Sequence, residues 1–326
     1  MKENMTEKEI VTMMTECFAE ALALKVAGIL EDDGIHAYVD VKKVLKNNGK
    51  TYLGLSIQEE EKNISPTIYI DEFVKRYPDQ MQLMNHIQDV ADWVIDAFMK
   101  ARKEEAVFDI SDFMDWNIAK TKICFKVVSF ERNEELLKDV PYQKAEDLAK
   151  VYYFWVGEFN EGSGSILIHN NHLEIWGITA AELDRVANNN TPKLLPESVQ
   201  GMSEVLAELM GADAAELMGI AQEEEQMYVC SNATKVFGAS ALFYPGVLEK
   251  FRDEHGDFFI LPSSIHEALL ISKKEAPDVD TLRQMVREVN DTQVDVEERL
   301  SYSVYEYTED GFRIATDVSA TGGAAI

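Results

Sequence analysis

Apolar residues recur at helical intervals through Ile10, Met13, Met14, Phe18, Ala21 and Leu22, behind Thr6 and Glu9 in capping-box spacing. This predicts one long amphipathic helix running to about Leu30. From Ile35 the period drops to two. Val39, Val41 and Val44 precede Asn47, Asn48 and Gly49, and Tyr52, Leu53, Leu55 and Ile57 follow them, which predicts two strands joined by a hairpin turn whose glycine supplies a positive φ. Ile68, Ile70, Phe73 and Tyr77 fit a short strand or helix after Pro66. Ile87, Val90, Ala91, Val94, Ile95 and Phe98 predict a second long helix ending near Lys103. The pattern makes residues 1–105 a helix, hairpin, helix domain bounded by the charged stretch Lys100 to Glu105.

Residues 106–316 read as a larger mixed domain. Strands are predicted at Ile123 to Val128, Val151 to Val156 and Ile166 to Ile168, with a helix turn over Ala145 to Lys150 and a hairpin turn at Gly162, Ser163 and Gly164. Thr179 and Glu182 form another capping box before a helix that is expected to stop at Asn188, Asn189 and Asn190, with Pro192 preventing its continuation. Val199 to Met210 is helical by period, and the acidic, alanine-rich stretch to Gln226 reads as a helix or exposed insertion. Further strands are predicted at Met227 to Cys230, Ala239 to Phe243 and Phe258 to Leu261, and helices at Val247 to Glu254 and Thr281 to Asn290. A terminal hairpin turns at Asp310 and Gly311, and residues 317–326 read as a flexible tail. Antiparallel hairpins interspersed with helices, without strict strand-helix alternation, predict an α+β fold.

Charge narrows the function classes. A net charge of -28 over 326 residues repels phosphate backbones and anionic lipid, so direct nucleic-acid or membrane-surface binding is disfavoured and a basic protein partner is not. No apolar run reaches the roughly 18 residues that span a bilayer, and the charged N-terminus lacks a secretory pattern. Cys17, Cys124 and Cys230 are far apart and form no CxxC pair; each sits among apolar neighbours and reads as a small buried hydrophobe. A reducing cytoplasm fits this usage.

Candidate chemistry concentrates in Phe258 to Ile271. Ser263, Ser264, His266 and Glu267 contain the residue types of a nucleophile, a base and an orienting acid, the basis of a hydrolase reading in which Asn290, Asp291 or Gln293 comes in from the following helix. Adjacent positions cannot easily align three such groups, however, and Ser264 with Glu267 has the spacing of a helix capping box. His169, His172 and Glu174 offer metal-ligand types in what reads as a turn after a strand, where bonds to backbone or water are the stronger reading, so no metal or other cofactor is called for. Trp93, Trp116, Trp155 and Trp176, with Tyr152, Tyr153 and Phe154, lack the interleaved cations of a nucleic-acid groove and read as packing or a binding surface. Met13 and Met14, and Met81 with Met84, line a partner groove if they are exposed.

Four segments carry a family resemblance: Val140 to Ala149, Asn171 to Thr179, Phe258 to Leu270 and Val289 to Ser301, together with the Lys46 to Gly49 turn and Pro66 to Tyr69. In these the chain resembles, over most of its length, a family of Firmicutes proteins common in gut clostridia and described as a domain of unknown function. The resemblance implies a cytosolic bacterial origin and assigns no residue role. The leading expectation is a cytoplasmic, non-catalytic binding protein. Alternatives are a hydrolase near His266 and Glu267, and an acidic mimic of nucleic acid whose carboxylates occupy a basic groove.

Overall fold

Alternating apolar residues around an asparagine-glycine turn build the first sheet. In the computed structural model, which describes residues 7–60, 65–77, 80–104, 110–159, 162–211, 225–262 and 264–316, the chain forms two units: Met1–Lys46 with Lys50–Phe113, and Asn47–Gly49 with Met114–Ile326.

In the first unit, helix α1 (Glu7–Asp32) is followed by β1 (Ala37–Leu45) and β2 (Thr51–Glu59), paired antiparallel with Val39 opposite Ile57 and Val41 opposite Leu55. The stretch after Pro66 is both strand and helix: β3 (Thr67–Tyr69) adds to β2, and α2 (Asp71–Arg76) follows at once. Then come α3 (Gln80–Asn85), α4 (Ile87–Glu104) and the short α5 (Ile110–Met114). Phe18, Leu22, Val26 and Leu30 of α1 interlock with Leu53, Leu55 and Ile57 of β2 and with Val90, Val94 and Phe98 of α4. Burying these side chains is the main term stabilising the unit. Arg102 on α4 grips the Glu59 carboxylate at the end of β2 with two bonds of 2.9 and 2.8 Å, fixing helix to sheet.

The second unit runs through α6 (Trp116–Ala119), β4 (Ile123–Ser129), α7 (Glu134–Leu137), β5 (Tyr142–Ala145), β6 (Leu148–Phe159), β7 (Gly162–Leu167), α8 (Asn170–Trp176), α9 (Ala180–Leu194), β8 (Glu197–Gly201), α10 (Met202–Met210) and β9 (Met227–Asn232). After a 3-10 helix (Gly238–Phe243) come α11 (Val247–His255), β10 (Phe258–Leu261), β11 (Ala268–Ser272), α12 (Val279–Thr292), β12 (Tyr305–Thr308) and β13 (Gly311–Ile314). Among the described residues it holds two antiparallel sheets. In the first, β6 pairs with β4 along one edge and with β5 and then β7 along the other. The second has the order β13, β12, β10, β11, β9, β8. Asn47–Gly49 belong to this unit. Asn48, at φ 58°, donates its backbone amide to Asn133 Oδ1 and its Nδ2 to the Val296 and Arg299 carbonyls. The fold is α+β.

Several local expectations are overturned. Ala145 to Lys150 holds no helix turn: Glu146 and Asp147 form the two-residue hairpin turn between β5 and β6, where Glu146 adopts φ 55° and reverses the chain without a glycine. Gly162 to Gly164 lie inside β7, paired to β6 across a bulge at Trp155 and Gly157. Helix α9 continues through its three asparagines and Pro192. Asn188 bonds Asp184 and Lys150, while Asn190 donates to the Lys120 and Ile123 carbonyls, so these side chains serve tertiary contacts and do not end the helix. Val199 is in β8, and the expected helix begins only at Met202. Ala239 to Phe243 is a buried 3-10 helix in place of a strand; a short apolar run does not distinguish the two. The expected features at Thr6, most of the stretch leading to Gln226 and the tail 317–326 lie outside the described residues.

Candidate functional site

His266 lies in the loop between β10 and β11, so no helix follows Ser264 and the expected helix cap with Glu267 does not form. Ser264 Oγ instead accepts from the His266 backbone amide at 3.0 Å, and the Ser264 amide donates to the Glu267 carbonyl at 3.1 Å, closing a tight loop. Ser263 lies outside the described residues. The loop is pinned from outside: Ile265 N donates to the Glu298 carbonyl, and Ser231 Oγ donates to the His266 carbonyl.

Gly238 makes this packing possible. A Cβ there would lie 2.0 Å from Ser231 Oγ, 2.3 Å from the His266 carbonyl oxygen and 2.8 Å from the Asn232 amide nitrogen. Just before it, Lys235 and Phe237 hold left-handed φ values of 57° and 53°, which non-glycine residues adopt only where neighbours enforce them. The enforcement is visible. The Phe237 ring stacks on His266 at 6.0 Å and 13°, meets Tyr153 edge-on at 5.3 Å and carries the Lys126 ammonium 4.1 Å above it. Buried Asn232 donates to the Val236 carbonyl at 2.8 Å.

The imidazole is similarly constrained. Nδ1 lies 3.3 Å from the Phe237 amide and 3.1 Å from the Lys235 carbonyl oxygen, and Nε2 lies 3.6 Å from a Glu298 carboxylate oxygen. A neutral ring protonated on Nε2 accepts from Phe237 on Nδ1 and turns Nε2–H toward Glu298; one protonated on Nδ1 donates to the Lys235 carbonyl and leaves the Nε2 lone pair on the Glu298 side; a charged ring donates from both nitrogens. In every state Nδ1 is engaged with the Lys235–Phe237 backbone and Nε2 lies on the Glu298 side, and the Ser264 oxygen accepts from the His266 amide. The imidazole is therefore held by the backbone of Lys235 and Phe237 on one side and faces Glu298 on the other.

The other expected site residues go elsewhere. Asn290 is fully buried and donates to the Ser301 carbonyl at 2.8 Å; Asp291 accepts from Tyr302 OH at 2.6 Å; Gln293 is exposed and donates to Thr292 Oγ1. Asn290 and Asp291 hold the segment after α12, and it is Glu298 of that segment, unnoticed in the sequence, that lies 3.6 Å from His266. Trp176 is buried against Trp116 and His172, with ring centres 5.3 and 5.9 Å away.

His169 and His172 open helix α8, not a turn. His172 Nδ1 accepts from the His169 amide at 3.0 Å, and His169 Nδ1 pairs with Asp139 at 2.7 Å. Burial, reinforced by the neighbouring His169, lowers the His172 pKa despite Asp139. Among the described residues no group of three or more His, Cys, Asp or Glu side chains could hold a metal ion, and no helix is long and apolar enough to cross a membrane.

A second candidate lies on the first unit. Positions Met13, Cys17, Leu24 and Gly28 fall on one side of α1 at 100° per residue, opposite the buried Phe18, Leu22 and Val26. Met13 is 45% exposed, Met14 42% and Leu24 78%. Cys17 is exposed rather than buried as its neighbours predicted, because those neighbours belong to both faces of the helix. Cys124 and Cys230 are buried, and burial pushes both thiols up to about 12. Met84 on α3 is also 46% exposed, so the condition set for a methionine-lined surface is met at Met13, Met14 and Met84, while the Met81 side chain lies outside the described residues.

No curated protein and no solved structure matches the chain. A family model does match, over residues 15–309, which span α1 to the turn after β12 and include both candidate sites from Thr15 onward. The chain belongs to that family, a family of unknown function designated DUF5688.

Proposed function

We propose that this chain is a non-catalytic binding protein of the bacterial cytoplasm that docks another protein through the outer face of α1. The observation that carries the reading is that α1 has apolar residues on both sides: its inner face is filled by the unit's own core, and Met13, Met14 and Leu24 are exposed on the outer side among Glu20 and Glu31. Large apolar side chains exposed together on one helix face mark an interaction surface. Three unpaired cysteines suit a reducing compartment. Binding is favoured over hydrolysis because the groups around His266 are engaged in holding their own loop.

Cys17 provides the test, since it is the exposed thiol and Cys124 and Cys230 are buried. A maleimide photo-crosslinker on Cys17 is irradiated in a bacterial lysate. We expect one saturable protein adduct, lost in Leu24→Glu and retained in His266→Ala. Diffuse adducts indifferent to Leu24→Glu overturn the reading, and ester or amide turnover abolished by His266→Ala replaces it with the hydrolase.

A further inference from the structure

We infer that the segment seated on the outer face of α1 is a cationic amphipathic helix of the partner. This rests on the reading of α1 as a docking surface and names the chemistry of its occupant.

Shape comes first. The stripe from Met13 to Gly28 covers fifteen residue steps, or about 22 Å of helix, the length of a partner helix of about four turns. Its small members leave open space along the helix: Cys17 is exposed, and a Cβ on Gly28 would find nothing within 4 Å. Ala21 lies beside them. Two methionines and Leu24 supply adaptable apolar contact on either side, the surface that apolar anchors spaced three and four residues apart on a partner helix fill.

Charge then selects the partner. Glu20 and Asp32 are exposed on or beside the stripe, exposed Glu31 pairs with His36 at 3.1 Å, Glu16 pairs with Lys43, and α1 itself carries one cation between Met13 and Asp32, Lys25, half-buried at the stripe's margin. Partners whose apolar stripe is flanked by lysine or arginine meet opposite charges here and are drawn in by the field of a protein carrying -28. A second copy of the chain brings the same carboxylates and the same net charge, so self-association on this face is opposed.

The experiment uses the full chain and a fluorescein-labelled leucine-lysine peptide of about 18 residues designed as an amphipathic helix. Two companions accompany it: a scrambled peptide of identical composition, and the same helix with glutamate in place of lysine. Fluorescence anisotropy at near-physiological salt is expected to give saturable one-to-one binding of the cationic helix. Leu24→Glu, Met13→Glu and scrambling the peptide should each weaken it about tenfold or more. Raising salt from about 0.05 to about 0.5 M should weaken it several-fold. Leu24 is 78% exposed, so Leu24→Glu keeps the fold, which circular dichroism checks.

Equal binding of the scrambled peptide, or indifference to Leu24→Glu, overturns the inference by showing unspecific attraction. Binding of the glutamate helix with sensitivity to Leu24→Glu overturns the cationic assignment and leaves α1 as a docking face. A dimer in sedimentation that Leu24→Glu dissociates assigns the face to a second copy. Absence of helix binding together with absence of a Cys17 adduct in lysate removes the docking reading itself.

Discussion

At the scale of single residues, two glycines make opposite predictions. Gly238 sits where a methyl group would collide with the Ser231 hydroxyl and with two backbone atoms of neighbouring segments, and backbone cannot swing aside. Gly238→Ala is expected to lower stability by about 3 kcal/mol, the upper range for overpacking, and to loosen the loop that holds His266. Gly28 lies within α1 with open space around it. Gly28→Ala should raise stability by about 0.5–1 kcal/mol, through reduced freedom of the unfolded chain and better helix propensity. Urea denaturation of the two variants checks both signs; a neutral Gly238→Ala means the three segments do not approach as closely as described.

At the scale of elements, α9 is held on β6 by a polar cluster more than by propensity. Asp184 accepts from Lys150 at 3.0 Å, from Tyr152 OH at 2.9 Å and from Asn188 at 2.8 Å, and the Lys150 and Asp184 side chains are only 13% and 17% exposed. Asp184→Ala leaves a largely buried ammonium without its counter-charge and should cost about 3–5 kcal/mol. A thermal melt unchanged from the parent would show the cluster to be solvated. The same cluster explains what was hidden in the sequence. Asn188 to Asn190 have the composition of a helix end, yet their partners come from β4, β6 and the turn before β4, which no local pattern announces. The β1–β2 hairpin was legible because alternation and an asparagine-glycine turn agree, and α4 and α12 because their apolar period is clean. The β5–β6 hairpin was not, since its turn is built on Glu146 in a conformation usually left to glycine or asparagine. His266 was legible as a residue of interest. Its actual neighbours, Lys235, Phe237 and Glu298, come from segments about thirty positions to either side, and adjacency had pointed to Ser264 and Glu267 instead.

For the whole molecule, the charge that draws cations also sets the response to acid. Most carboxylates are exposed and repel one another, so modest salt should stabilise the fold at neutral pH even as it weakens binding of a cationic helix. Glu306 behaves differently. Its side chain is 8% exposed on β12, between Lys273 and Arg313 at 2.5 Å each. Burial pushes this carboxyl up, but the bonds and charges of the two cations prevail and its pKa falls below the ordinary 4.5. Unfolding therefore raises its proton affinity. The resulting contribution to stability is fully present above about 4.5, where unfolded glutamate is ionised, and is lost as pH falls through the lower folded value. Glu306→Gln removes it at every pH. Chemical denaturation at pH 7, 5, 4 and 3 should show parent and variant separated by a constant gap down to about pH 5 and converging below it. A gap that persists unchanged at the lowest pH would mean that Lys273 and Arg313 stabilise Glu306 equally in the unfolded chain, and that acid sensitivity originates in other carboxylates.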